Sequence, residues 1–409
     1  MSDRRPRILV GQAGGPTAVI NASLAGVVSA AVDPPGESGP LARVLGMRFG
    51  IEGFLQGEVV DLSAMGRGDI DRLRSTPGSA LGSCRYKLQD SDLPRIAAEL
   101  ERHGVDGLIY IGGNDTMDTI HRISDYCASH SLPVTGVGVP KTVDNDLYAT
   151  DHTPGYASAA RYVALSVRQA ARLARDMQRV DRFVVHQTIG RDAGWLAAAA
   201  SLGRRQEAEG PHAIYLPEQR ITPARVLEDV EEAVRRHGFA FLVVGEGTRW
   251  ESGEPVSAGA SSDAFSNTEY GAMSGASAAM SLHALISGEL GLRGEFQVPE
   301  SMPMSADDRR APHDAAEAWD CGVEAVRRVV AGEGGSMVTL QRNPGADGAY
   351  GWALGTAPLS EVAVRARPMP EAMVAQSYVT DAFRDYAEPL VGPLPEYYDI
   401  ARLAEGATS

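Results

Sequence analysis

Short β-branched runs closed by glycine or proline alternate in this chain with longer segments of helical period, and that alternation restricts its fold more than any other feature. Runs at 8–10, 107–111, 134–139, 183–186, 213–216, 241–244 and 337–340 have the length and composition of strands. Segments at 94–103, 157–177, 223–236 and 315–330 are amphipathic at helical spacing. Strands separated by helices build βαβ units, so the expected class is α/β, with doubly wound, mostly parallel sheets covered by helices on both faces. A chain of 409 residues exceeds one ordinary core, which predicts two lobes and a cleft. In such sheets ligands bind outside the carboxyl ends of the strands. The Pro/Gly-rich stretch 33–39 and the segment 247–262 read as surface loops.

The balance of charge narrows the partners. A formal net charge of -15 argues against nucleic acid polymers and anionic membranes, so an anionic substrate must be met by a local cluster of basic groups. Three widely spaced cysteines, Cys84, Cys127 and Cys321, fit neither a disulfide framework nor a CxxC metal site and point to a reducing, cytoplasmic setting. The opening MSDRRPR leads directly into the short run 8–10, which predicts neither a secretory leader nor a membrane span.

Three loops at predicted strand ends carry the chemistry. The first, GQAGGPT at 11–17, precedes a helical stretch at 18–31. Its glycines let backbone N–H groups turn toward an anion and the helix adds its positive end, although a plain tight turn has the same composition. The loop lacks the Gly-Lys-Ser/Thr ending of a Walker A motif. The second, GGNDT at 112–116, repeats the pattern. The third, PKTVDND at 140–146, is followed by DHTPG at 151–155. Two aspartates two residues apart suit phosphoryl transfer to an alcohol, one accepting the hydroxyl proton and the other helping to hold Mg2+. An Asx-rich turn is the structural alternative.

With these loops, and with GGPTAVINAS at 14–23, TPGSALGSCR at 76–85, IGRDAGW at 189–195 and YVTDAFRDY at 378–386, the sequence resembles the phosphofructokinase family over roughly residues 7 to 400, and within it the pyrophosphate-dependent branch. The resemblance implies two α/β lobes with the site in the cleft: a donor lobe of 1–157 plus about 314–365, and an acceptor lobe of about 158–313 plus 366–409. ATP-using relatives carry glycine where this chain has Asp115, leaving room for a nucleotide α-phosphate, and glycine where it has Lys141. A carboxylate at 115 crowds that phosphate, and a lysine at 141 supplies a cationic clamp for pyrophosphate.

The roles implied by the resemblance follow residue by residue. Asp144 is the general base, and Asp146 assists it or holds Mg2+ together with Asp115. Gly14, Gly15, Gly113 and Arg85 bind the donor, and Arg191 steadies the transferring group. On the acceptor side stand Thr142, Ile189, Gly190, Glu218 and the position of Met304. Arg182 resembles an arginine lent across a subunit interface, which implies a homodimer or homotetramer. Asn114 occupies a position where many relatives have a magnesium-binding aspartate.

The acceptor pattern breaks in two places. PESMPMS at 299–305 puts Met304 where relatives carry an arginine for the acceptor's remote phosphate, and an expected Asp-Arg pair reads Asp314-Ala315. Removing a desolvated charge partner costs on the order of 2–5 kcal/mol. Either Arg309 and Arg310 restore the charge by a shifted loop, or the acceptor is another sugar phosphate, a cyclitol, a free sugar or a nucleoside. ATP as donor and a non-catalytic sugar-phosphate sensor are the remaining alternatives.

Overall fold

The structure, a computed structural model, describes residues 6–32, 43–257, 261–262, 268–269, 277–343, 345 and 349–398. Five strands come first: β1 (Arg7–Gln12), β2 (Arg43–Met47), β3 (Val59–Asp61), β4 (Gly107–Gly112) and β5 (Thr135–Pro140). Four follow, β6 (Phe183–Thr188), β7 (Ala213–Tyr215), β8 (Ala240–Gly245) and β9 (Gly294–Gln297), and then β10 (Ser336–Arg342) and β11 (Trp352–Pro358). They form a seven-stranded sheet in the order β11-β10-β5-β4-β1-β2-β3 and a four-stranded sheet in the order β9-β6-β8-β7. The smaller sheet is wholly parallel. In the larger one only the edge strands β3 and β11 run antiparallel to their neighbours.

All seven strand expectations fall on observed strands. Strands such as β4 and β6 are buried along their whole length, because helices cover both faces, and they therefore read as continuous apolar runs. The expected helices are present as α1 (Ile20–Val32), α2 (Leu93–His103), α3 (Asn114–Ser129), α4 (Tyr156–Asp176), α5 (Pro223–His237) and α7 (Asp314–Ala331); α6 (Ala278–Leu290) and α8 (Asp381–Val391) add to them. The start of α5 shows how the sequence sets a boundary. Thr222 accepts a hydrogen bond from the Arg225 N–H, Pro223 needs no donor, and Gly238 ends the helix at φ 87°.

One core lies on each face of the larger sheet and two more clothe the smaller. The expected loop at 247–262 is more than surface: Arg249–Trp250 pairs with Arg220–Ile221, and Thr248 and Val256 are buried. The stretch 33–39 lies outside the described residues. Among the described residues, no helix is long and apolar enough to cross a membrane.

A buried charge network ties α7 to the segment after β5. His152, fully buried, bonds through Nδ1 to Asp151 Oδ1 (2.9 Å) and through Nε2 to Glu317 Oε2 (3.1 Å). The Tyr350 hydroxyl donates to Glu317 and lies 3.2 Å from His152 Nε2, and Arg342 pairs with Asp151 at 3.2 Å. Burial alone pulls the imidazole pKa down, but the hydrogen bonds and charges of Asp151 and Glu317 outweigh it and raise the pKa to about 9.

A folded pKa above the unfolded one of about 6.5 gives stability that is fully present below pH 6.5 and lost as the pH rises through about 9. Wild type is therefore expected to lose its stability advantage over His152→Gln across that interval, measured as the difference in urea midpoints. Taking the difference removes the opposite trend of Lys141, whose pKa is depressed. A constant difference from pH 6.5 to 9.5 would refute the assignment.

Candidate active site

In the larger sheet the chain runs outward from β1 to β2 on one side and reaches β4 and β5 on the other, so the topological switch lies between β1 and β4. The loops 11–17, 112–116 and 140–146 follow β1, β4 and β5, three adjacent parallel strands, and open at the same carboxyl edge. Gly14 has φ 74°, a left-handed conformation that favours glycine, and a side chain there would lie 3.1 Å from Lys141 Nζ.

Lys141 carries the strongest local signal. It is 2 % exposed, and its Nζ donates to Gly15 O at 2.7 Å, joining the third loop to the first. Desolvation depresses its pKa to about 8, against the opposing pull of Asp144 and Asp146. Such a cation gains full charge when an anion joins it. Gly113 caps the N-terminus of α3, and Asp115 is exposed in the first turn of that helix. Arg85 is also exposed, beside Cys84, whose carbonyl accepts from Gly14 N.

The two aspartates stand on the turn after Lys141. Burial raises the pKa of Asp144, against the attraction of Arg191 and Lys141. Burial raises that of Asp146 too, and repulsion from Asp144 adds to the shift. Asn145 between them has φ 57° and is fully buried. Thr142, whose Oγ1 accepts from Asp144 N at 3.0 Å, closes the turn.

The metal expectation divides. Asn114 Nδ2 donates to Asp146 Oδ2 at 2.8 Å, and Asn114 Oδ1 is buried with no hydrogen-bond partner. A carboxylate and an orphaned amide oxygen side by side, beneath a loop suited to phosphate, fit Mg2+, which takes few protein oxygens and completes its shell with water and substrate phosphate. Asn114 thus offers an oxygen beside Asp146, and Asp115, the other expected ligand, is exposed in the first turn of α3. Among the described residues no group of three or more His, Cys, Asp and Glu forms a metal cluster.

Loops of the smaller sheet face this edge. Ile189 and Gly190 follow β6, and Arg191 is exposed and acts electrostatically on both Asp144 and Glu246. Glu246, at the end of β8, was missed by the sequence reading. It is 8 % exposed, accepts from Gly190 N at 3.2 Å, and burial raises its pKa to about 7. Its place just past a buried parallel strand was the available signal.

Glu218, by contrast, is already engaged. Its carboxylate accepts from Gly194 N (2.9 and 3.1 Å) and Met369 N (3.2 Å). Arg182 lies at the opposite, N-terminal end of β6, where Nε donates to Gly238 O at 3.0 Å, away from the cleft of its own chain.

The departures in the acceptor pattern have physical counterparts. Met304 packs on the first loop so closely that any side chain at Gly15 would meet its methyl group. Ala315 packs against the alanine-rich cluster of Ala18, Ala22 and Ala318, and Asp314 is buried, accepting from the N–H groups of Gly155 (2.8 Å) and Ser158 (3.0 Å). The two nearby arginines are drawn elsewhere. Arg309 lies over the Tyr162 ring and donates to Ser166 Oγ at 2.6 Å; Arg310 lies 3.1 Å from Asp307, yet its buried Nη1 makes no hydrogen bond.

Known proteins share this arrangement. The family model described as Phosphofructokinase matches residues 7–298. The chain is 35% identical over 401 residues to the pyrophosphate–fructose 6-phosphate 1-phosphotransferase of Xanthomonas campestris pv. campestris, covering 96% of this chain and 93% of that one. It is 39% identical over 241 residues to the sulfofructose kinase of Alkalicoccus urumqiensis, covering 59% of this chain and 61% of that one. The solved pyrophosphate-dependent phosphofructokinase of Nitrosospira multiformis matches with a TM-score of 0.84 at 32% identity, over 97% of this chain and 95% of that one. Family model, sequence and overall fold thus agree, and the chain belongs to the phosphofructokinase family.

Proposed function

We propose that this enzyme transfers a phosphoryl group from pyrophosphate to a hydroxyl of a sugar phosphate, with fructose 6-phosphate as the leading acceptor. The observation that carries the donor is the buried Lys141, bonded to Gly15 and lying next to both aspartates. A compact cation at that depth suits two phosphates and leaves little room for a nucleotide. The exposed carboxylate of Asp115 at the start of α3 adds repulsion toward a third. Relatives named for pyrophosphate support the same donor.

Asp144 takes the proton from the acceptor hydroxyl as its oxygen forms the new O–P bond, while the bond to the departing phosphate breaks. The products are a phosphate monoester and inorganic phosphate. Arg191 stabilises charge on the transferring group. Gly14, Gly15, Gly113 and Arg85 hold the donor, and Thr142, Ile189, Gly190 and Glu246 line the acceptor side. Asp146, with Asn114 or Asp115, would hold Mg2+, which would neutralise phosphate charge when bound. The donor lobe combines 1–157 with about 314–365 and the acceptor lobe takes the rest. Arg182, facing away from its own cleft, serves a neighbouring chain in a cytoplasmic homodimer or homotetramer.

A second reading concerns the acceptor alone. Met304 and Ala315 are apolar where the resemblance calls for arginine, and Arg309 is held by Tyr162 and Ser166. A remote group with less charge than a phosphate, such as the sulfonate of the substrate that the Alkalicoccus relative is named for, then becomes the better fit. One assay tests both readings: pyrophosphate and ATP, each with Mg2+, against fructose 6-phosphate, 6-deoxy-6-sulfofructose and unphosphorylated sugars. Turnover with pyrophosphate exceeding that with ATP is expected. Equal or faster rates with ATP would sink the donor assignment, and a kcat/KM higher with the sulfonate than with fructose 6-phosphate would favour the second acceptor.

A further inference from the structure

We propose that Arg367 is a positioning residue for phosphoryl transfer, its guanidinium fixing the backbone turn on which Asp144 and Asp146 stand. The inference rests on the roles given above to those aspartates. Arg367 comes from a stretch more than two hundred residues further along the chain, yet its fork is spent chiefly on the segment 145–151, which begins in this turn, with a longer bond from Nη2 to the Tyr386 hydroxyl at 3.4 Å. Nη2 and Nε donate to Asn145 O at 2.8 and 3.2 Å. Nη1 donates to Thr150 O at 2.9 Å and also to Asp151 O. Its own backbone N–H donates to Asp146 O at 2.7 Å.

The turn needs such a clamp. Asn145 holds a left-handed φ of 57°, a conformation that Asn tolerates better than most residues with a Cβ, and that inversion sits between the two buried carboxyl groups near Lys141. Tyr386 supplies the other half of the grip: its hydroxyl accepts from Asn145 Nδ2 and donates to Asp151 O, both at 2.8 Å. A planar fork satisfies three carbonyls at once, which a single ammonium on a flexible stem cannot.

The face of the same guanidinium covers the Trp195 ring at 4.7 Å. Trp195 opens the short helix Trp195–Ala199, just past the loop that carries Ile189, Gly190 and Arg191. Arg367 thus holds the catalytic turn by its edge and the base of the acceptor loop by its face. A shift of about 1 Å between reacting groups can cost 10²-fold in rate, so the bracket acts on the chemical step more than on binding.

The test uses the full-length protein. Wild type, Arg367→Lys and Arg367→Ala are compared with pyrophosphate, Mg2+ and fructose 6-phosphate, with rates expressed per folded molecule from thermal unfolding curves. The expected result is a roughly 10²-fold fall in kcat with the KM of each substrate within about threefold. Millimolar guanidinium chloride should restore part of the Arg367→Ala rate, and ammonium chloride should not. If Arg367→Ala fails to fold, Arg367→Lys decides. Retention of kcat in the folded variants, or a loss confined to KM, overturns the proposal. Wild type silent with pyrophosphate would instead overturn the functional reading beneath it.

Discussion

Asp144→Asn is expected to lower kcat by roughly 10²- to 10⁴-fold, the usual range for removing a positioned general base. The asparagine keeps the shape of the side chain but cannot accept the hydroxyl proton. In the wild type, burial raises the carboxyl pKa toward the working range while Arg191 and Lys141 hold it in check, which is the balance a base requires near neutrality. Donor contacts to Gly14 and Lys141 are untouched, so pyrophosphate should bind the variant as it binds wild type, measured by calorimetry. A variant within tenfold of wild-type kcat would remove Asp144 from the mechanism.

The second large effect is expected from Lys141→Met, which removes the cation and keeps most of the stem. Losing a desolvated charge partner costs about 2–5 kcal/mol, so kcat/KM for pyrophosphate should fall roughly 30- to several-thousand-fold. The folded protein should suffer far less, because the ammonium itself is costly to bury. Low activity with a nearly unchanged thermal midpoint is the diagnostic pair. A proportional loss of both would make Lys141 a structural strut between loops.

Inner strands such as β4 and β8 were legible because burial on two faces leaves little but apolar residues, as in GLIYIG and AFLVVG. Four strands escaped notice, β2, β3, β9 and β11: β9 reads GEFQ and is only partly buried, with no periodic signal to find. The placement of the loops 11–17, 112–116 and 140–146 was legible for a similar reason, since each is a compact motif at a strand end. Arg367 and Tyr386 were not. Their contacts with the turn span 222 and 241 positions of sequence, and nothing local to an arginine or a tyrosine announces a distant carbonyl. The split of the metal expectation has its own cause: a carboxylate is conspicuous in a sequence, whereas the value of Asn114 lies in an oxygen left unpartnered by folding.

The strand order also sets when the enzyme can exist. β5, which leads into the turn carrying Asp144 and Asp146, pairs on its outer side with β10, and the turn itself is bolted by residues 367 and 386. At about 5–20 residues per second of synthesis, the chain between β5 and β10 takes roughly 10–40 s to emerge. Throughout that time a nascent sheet exposes an unpaired parallel edge beside that turn. The partners of this turn thus emerge only late in synthesis, and the waiting edge is the place where a chaperone would have most to protect.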